Sequence, residues 1–312
     1  MNKMERFMAA VNGGPVDWPP LLTWAHFLSD HLDSKQVVDL HLKQMAVYDW
    51  DIMKAMNDYR YPVPAGVNDL VSAESLQKFR RLSMDEPCFA IQLDCLRQLR
   101  SALGPDVPIL DTIFEPHQQI VRNVGYDQTA NLLAHGAKAL PALEAVTETM
   151  CDYVRAAKKA GADAVLVTIN GAIPRGMARG ATQEEHEEFQ KPFTMEVLKA
   201  AEGMVRVLHA HGSYLQMDRI AGYPYEVLSV ADRGPGNPSL AELRKLTDKC
   251  LMGGLDETQL HSRSLSALAR EIDDAYAQAG REKLILAPGC TMASFTSNRT
   301  LNFLREYSRK AR

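Results

Sequence analysis

Asp163-Ala-Val-Leu-Val-Thr-Ile-Asn170 is an apolar, β-branched run, and its reading decides the fold. Both alternating sets of its residues are apolar, the pattern of a strand buried on both faces. Residues 143–160 precede it, with Leu143, Val146, Met150 and Val154 at the three-to-four spacing of a buried helix face and Gly161 as a stop signal. Thr182-Gln-Glu-Glu185 follows as a capping box that opens a long helix. That helix leads to a second β-rich run, Val205-Arg-Val-Leu-His-Ala-His211. Helix, strand, helix and strand in succession predict an α/β chain with a parallel sheet.

The same alternation extends outward. Further strands are expected at 20–25, 61–67, 108–114, 226–231, 250–255 and 283–287, the second weakened by Pro62 and Pro64. Helices are expected at 239–247 and at 265–279, the latter stopped by Gly280. Eight strands alternating with helices predict a TIM-type (β/α)8 barrel, a single domain over 1–312. An open doubly wound sheet is the alternative. No Gly-x-Gly-x-x-Gly follows the first strand and no Walker A sequence is present, so no nucleotide site is expected.

Composition narrows the function classes. The chain has 312 residues, 35 Lys plus Arg against 39 Asp plus Glu, a net charge of -4 and five cysteines. The charge gives no footprint for nucleic acid or an anionic membrane. The cysteines are too few and odd in number for a disulfide scaffold. No stretch approaches the roughly 20 apolar residues of a membrane span, and the start of the chain lacks a signal-peptide apolar region. A cytoplasmic protein is expected. An exposed apolar rim would serve a homodimer.

In a barrel the chemistry sits at the C-terminal strand ends. Side chains two apart on a strand point the same way, so His209 and His211 converge at the end of the fifth strand. Cys290 lies just past the last strand, and Asp232 ends the sixth. Two imidazoles, a thiolate and a carboxylate on one rim form a catalytic zinc pattern, and the soft donors favour zinc over magnesium. The plainer reading is polar loop-edge residues bonded to backbone, a packed cysteine, and a helix cap or an ion pair of Asp232 with Arg233. His26 is a candidate acid or base. Trp24, Asn170, Arg175 and Arg179 are candidate substrate contacts. His117 and Glu115 are read as ordinary polar residues, and Cys88, Cys95, Cys151 and Cys250 as packing.

These residues give the chain a resemblance to the uroporphyrinogen decarboxylase superfamily, and within it to the zinc-dependent, cobalamin-linked methyltransferases. The likeness runs through Gly-Gly-Pro-Val-Asp17-Trp18-Pro19, Ala160-Gly-Ala-Asp163-Ala-Val, the stretch 184–214, Ile285-Leu-Ala-Pro-Gly-Cys290 and the helix from Asn298. It implies a TIM-type barrel whose zinc ligands lie in a His-x-Cys-Gly strand end and a late Gly-Cys. His209 and Cys290 match the first and last of these; His211 stands where the resemblance implies cysteine, leaving the site one negative charge short. Asp232 would be a displaceable fourth ligand. The decarboxylase branch fits less well. Its Arg-Gln-Ala-Gly-Arg motif is replaced by Trp24-Ala-His26-Phe27-Leu28, its aspartate strand has no match near Tyr61 to Asp69, and Pro288-Gly-Cys290-Thr replaces its Gly-His-Gly-Ile.

Three functions follow. The first is a zinc-dependent methyltransferase acting between a corrinoid and a thiol or similar small acceptor. The chain has no Asp-x-His-x-x-Gly corrinoid motif and little length beyond one barrel, so the corrinoid is expected on a carrier partner or free in solution. The second is a cofactor-free decarboxylase of a porphyrinogen or another polycarboxylate, held by Arg175 and Arg179. The third is a non-catalytic tetrapyrrole or corrinoid binder. Metal content separates the first two.

Overall fold

A computed structural model describes residues 1–310. Seven parallel strands pair in chain order: β1 (Met53–Lys54), β2 (Ile109–Phe114), β3 (Ala164–Ile169), β4 (Val205–Ala210), β5 (Val227–Val230), β6 (Cys250–Leu255) and β7 (Leu284–Pro288). Residues 20–22 supply an eighth stave. The Leu286 N–H donates to the Pro20 carbonyl at 2.8 Å, and the Leu22 N–H to the Leu286 carbonyl at 3.2 Å. On the other side the Asp51 N–H donates to the Leu21 carbonyl at 2.9 Å, and the Asp51 carboxylate accepts the Leu21 N–H at 2.9 Å. The ring is therefore closed, which establishes the barrel and excludes the open sheet.

Two apolar layers hold it. Leu110, Leu166, Val207, Val227, Met252 and Ile285 point inward and pack on one another. Their strand neighbours, such as Ile113, Val165, Val167, Leu208 and Leu251, point outward into a sleeve shared with the helices. This two-sided burial explains why the strands read as continuous apolar runs. The helix Lys3–Asn12 closes the N-terminal end: its Phe7 and Val11 join the inner cluster. Each such fully buried large side chain contributes roughly 1.5–3 kcal/mol. The polar ends of the strands are thereby left facing a cavity at the other end.

Several expectations are corrected. Residues 61–67 form loop, as their prolines allow; the stave in that place is β1, ten residues earlier in the chain, where the Met53 and Ala55 N–H groups donate to the Pro108 and Leu110 carbonyls. The first stave is shorter than 20–25, with one bridge at Leu21. The long helix after Thr182 is two, Gln183–Phe189 and Lys191–Ala200, broken at Gln190. Pro192 explains the break, since its ring opposes the carbonyl one turn back. The helices Leu140–Ala160 and Leu265–Ala279 form as the spacing predicts.

Candidate metal centre

Strand register builds the centre. Thr168, His209 and Ser229 are direct neighbours across β3, β4 and β5, and His209 is buried among them. The Ser229 hydroxyl lies 3.0 Å from His209 Nδ1, which leaves Nε2 of that ring for a ligand. His211 follows two residues on, where its N–H donates to the Ile169 carbonyl. Gly212, at φ 115, then turns the chain away through a conformation that side chains rarely adopt. Cys290 arrives from β7 through Gly289. A Cβ on Gly289 would lie 2.3 Å from the Ala231 Cα, so close approach to the neighbouring strand end is what requires glycine there.

The ligand atoms of His209, His211 and Cys290 all lie within 4.8 Å of one another. His211 Nδ1 and Cys290 Sγ are 3.7 Å apart. Nitrogen and sulfur bound to one tetrahedral zinc ion lie about 3.5 Å apart, given bonds of about 2.0 and 2.3 Å. Burial, then the other imidazole, holds His209 well below the ordinary histidine value. Burial, then Arg179, takes His211 down to about 4. Both rings are therefore neutral near pH 7 and present lone pairs. Burial raises the Cys290 thiol, so binding a metal there must displace its proton. The donor set fits zinc in type and spacing. Among the described residues it is the one such group.

The three residues line a cavity of about 250 Å³ at the C-terminal end of the barrel. Its other walls include Trp24, Met56, Phe114 and Leu166, and its cations are Lys54, Arg122 and Arg179. Among the described residues lining it, none is Asp or Glu. Lys54 is buried, hydrogen-bonded to Thr112, with Nζ 5.5 Å from the Trp24 ring centre. Burial brings its pKa down to about 7. Arg122 lies over the Phe114 ring at 4.0 Å and Arg179 over the Tyr126 ring at 3.5 Å. The lining is therefore small and cationic.

The remaining expected residues divide. His26 and Trp24 line the cavity; His26 Nδ1 sits 2.6 Å from Asp58, whose carboxyl is held down at about 2 against burial by hydrogen bonds from His26 and the Ser29 backbone. Arg179 lines it too, whereas Arg175 lies outside, bonded to both Glu185 oxygens at 2.7 Å. Asp232 is not in the metal group or the lining. It accepts the N–H of Gly254 in β6 at 2.7 Å and faces Arg233 at 3.4 Å, so the ion pair with Arg233 forms and the helix cap does not. Asn170 is buried and lies outside the cavity lining. Lys54, Thr112 and Arg122 were not expected. Lys54 escaped because β1 is two residues long and carries no β-branched run.

Comparison with known proteins places the chain. The family model described as uroporphyrinogen decarboxylase (URO-D) matches residues 55–311. A methyltransferase from Methanosarcina mazei has a similar structure, with TM-score 0.76, 20% identity and 99% of each chain covered. A B12-independent methionine synthase from a Shewanella species is also similar, with TM-score 0.61, 13% identity, and 89% of this chain and 86% of that one covered. At these identities the two structures show the shared fold. A search of curated proteins finds no match.

Proposed function

Because the chain belongs to the uroporphyrinogen decarboxylase family, we propose that it is a zinc-dependent methyltransferase within that family, moving a methyl group between a corrinoid and a small anionic thiol or similar acceptor. The convergence of His209, His211 and Cys290 on one cavity carries this reading. A zinc ion held there supplies Lewis acidity that lowers the pKa of an acceptor thiol. The protein's own groups do the rest. Ser229 fixes the His209 ring, Lys54 and Arg179 attract the acceptor's negative charge, and the apolar walls exclude water. The cavity is small against the roughly 300–1,000 Å³ of ligand pockets, so a corrinoid would meet the acceptor at the mouth, carried by a partner protein or free. The decarboxylase alternative keeps the cationic lining in its favour. It loses Arg175, and a tetrapyrrole is large for about 250 Å³.

Metal analysis of protein purified without a histidine tag tests the proposal. About one zinc per chain is expected, lost in His209→Ala and in Cys290→Ser while the barrel stays folded. Folded wild-type protein that takes up no zinc even when it is supplied would refute it.

A further inference from the structure

Arg179 makes a contact that a metal centre does not tolerate. Its Nη1 lies 3.4 Å from Nε2 of His211, the ring whose Nδ1 faces Cys290 Sγ. A guanidinium has donors and no acceptor. The contact is therefore favourable only when Nε2 carries the lone pair and Nδ1 carries the hydrogen. A metal on Nδ1 demands the reverse: the hydrogen moves to Nε2, and two N–H groups then point at each other. Arg179 and a metal thus compete for the tautomer of one ring.

The surroundings decide which partner moves. The loop 171–181 is clamped by Arg219, whose Nη1 donates to the Gly171, Ile173 and Ala181 carbonyls at 3.0, 3.1 and 2.9 Å. A Cβ on Gly180 would lie 2.0 Å from the Pro174 carbonyl oxygen, so the backbone is tightly folded beside Arg179. Arg179 itself is held at φ 69, a left-handed conformation costly for a residue with a side chain. The backbone is fixed, and the long side chain is held only by its contact with His211 and by stacking on the Tyr126 ring at 3.5 Å, along which it can slide. Among the described residues no carboxylate ties it down, and the cavity lies beside it.

We infer that Arg179 is a positioning residue that reports the state of the centre: at the cavity wall it rests on His211 when the metal is absent, and metal loading releases its guanidinium from that ring to receive the anionic end of the acceptor. The inference rests on the zinc reading above and deepens it, because it makes acceptor binding follow metal binding. It also belongs to this chain in particular, since it needs a histidine at position 211.

Zinc affinity, measured by competition with a chromophoric chelator, tests it in wild type, Arg179→Lys, Arg179→Met and Arg179→Gln. Lysine is also donor-only and should match wild type. Methionine removes the conflict and should tighten zinc. Glutamine can accept the new Nε2–H and should tighten it most, by roughly 10- to 100-fold, the range seen for partners of ligating histidines. In metal-free protein, nitrogen-15 NMR should find the His211 hydrogen on Nδ1. Zinc-loaded wild type should prefer mercaptoacetate over mercaptoethanol, and Arg179→Met should weaken that preference. Arg179→Gln binding zinc no more tightly than wild type, or the hydrogen found on Nε2 in metal-free protein, would overturn the inference and leave the zinc reading standing. No zinc binding in any of the four proteins would overturn both.

Discussion

Glu115→Gln is expected to make the protein more stable at neutral pH and to leave it unchanged in acid. Glu115 follows β2 and is fully buried. Its carboxylate accepts the Asn170 N–H at 2.6 Å and the Thr194 hydroxyl at 3.3 Å, so it ties β2, β3 and the helix Lys191–Ala200 together. Burial outweighs these bonds and carries its pKa from 4.5 to about 7. The native state therefore keeps its proton to higher pH than the unfolded chain does. Below pH 4.5 both states are protonated and the group has no effect. Stability then falls as pH rises toward 7, and the full penalty holds above. At about 1.36 kcal/mol per pH unit the penalty is about 3 kcal/mol. Glutamine keeps the shape, accepts the Asn170 N–H through its one oxygen, turns its amide N–H toward the Thr194 hydroxyl and has no proton to lose. Urea unfolding of wild type and variant between pH 4.5 and about 7.5 gives the test: the variant's advantage should grow by about 3 kcal/mol across that range. His117, which burial holds at about 4, works in the opposite direction, and it does so in both proteins and cancels. A difference that stays flat across the range would refute the reasoning.

Other expectations follow the same structure. Phe7→Ala opens the plugged end of the barrel and should cost about 3–5 kcal/mol, seen in thermal unfolding, with zinc affinity unchanged because the centre lies at the opposite end. Ser229→Ala frees the His209 ring and should weaken zinc about tenfold or more in the chelator competition. Lys54 is an ammonium below about pH 7 and neutral above it, so mercaptoacetate binding by calorimetry should weaken as pH rises through 7. Lys54→Met should bind it weakly throughout and show no such step.

The parts of the fold legible in the sequence were those whose burial is two-sided. β3 and β6 announce themselves because every residue is buried, and β4 because all but Arg206 are. β1 did not, because pairing to its neighbours, and not its own composition, makes it a strand. With it went Lys54. The candidate metal group was legible because His209 and His211 share strand parity, which survives whatever the loops do. Parity also tells against Asp232: Ser229 faces inward on β5, so position 232 faces away, toward Gly254 and Arg233. Arg175 and Arg179 could not be told apart by sequence. One is captured by the Glu185 of a helix cap, and the other by a ring on a different element.

The helix Lys3–Asn12 has a consequence for the order of events. With Phe7 and Val11 corking the N-terminal end, the chamber has one doorway. Whatever enters must leave by the same route, and two reactants of unequal size cannot pass each other in it. Under the proposed methyl transfer, the smaller acceptor would have to be seated before a bulky methyl donor covers the opening, and the donor would have to depart before the methylated product could. Under that proposal the barrel would work as a loading dock with a single gate, and its traffic would be sequential.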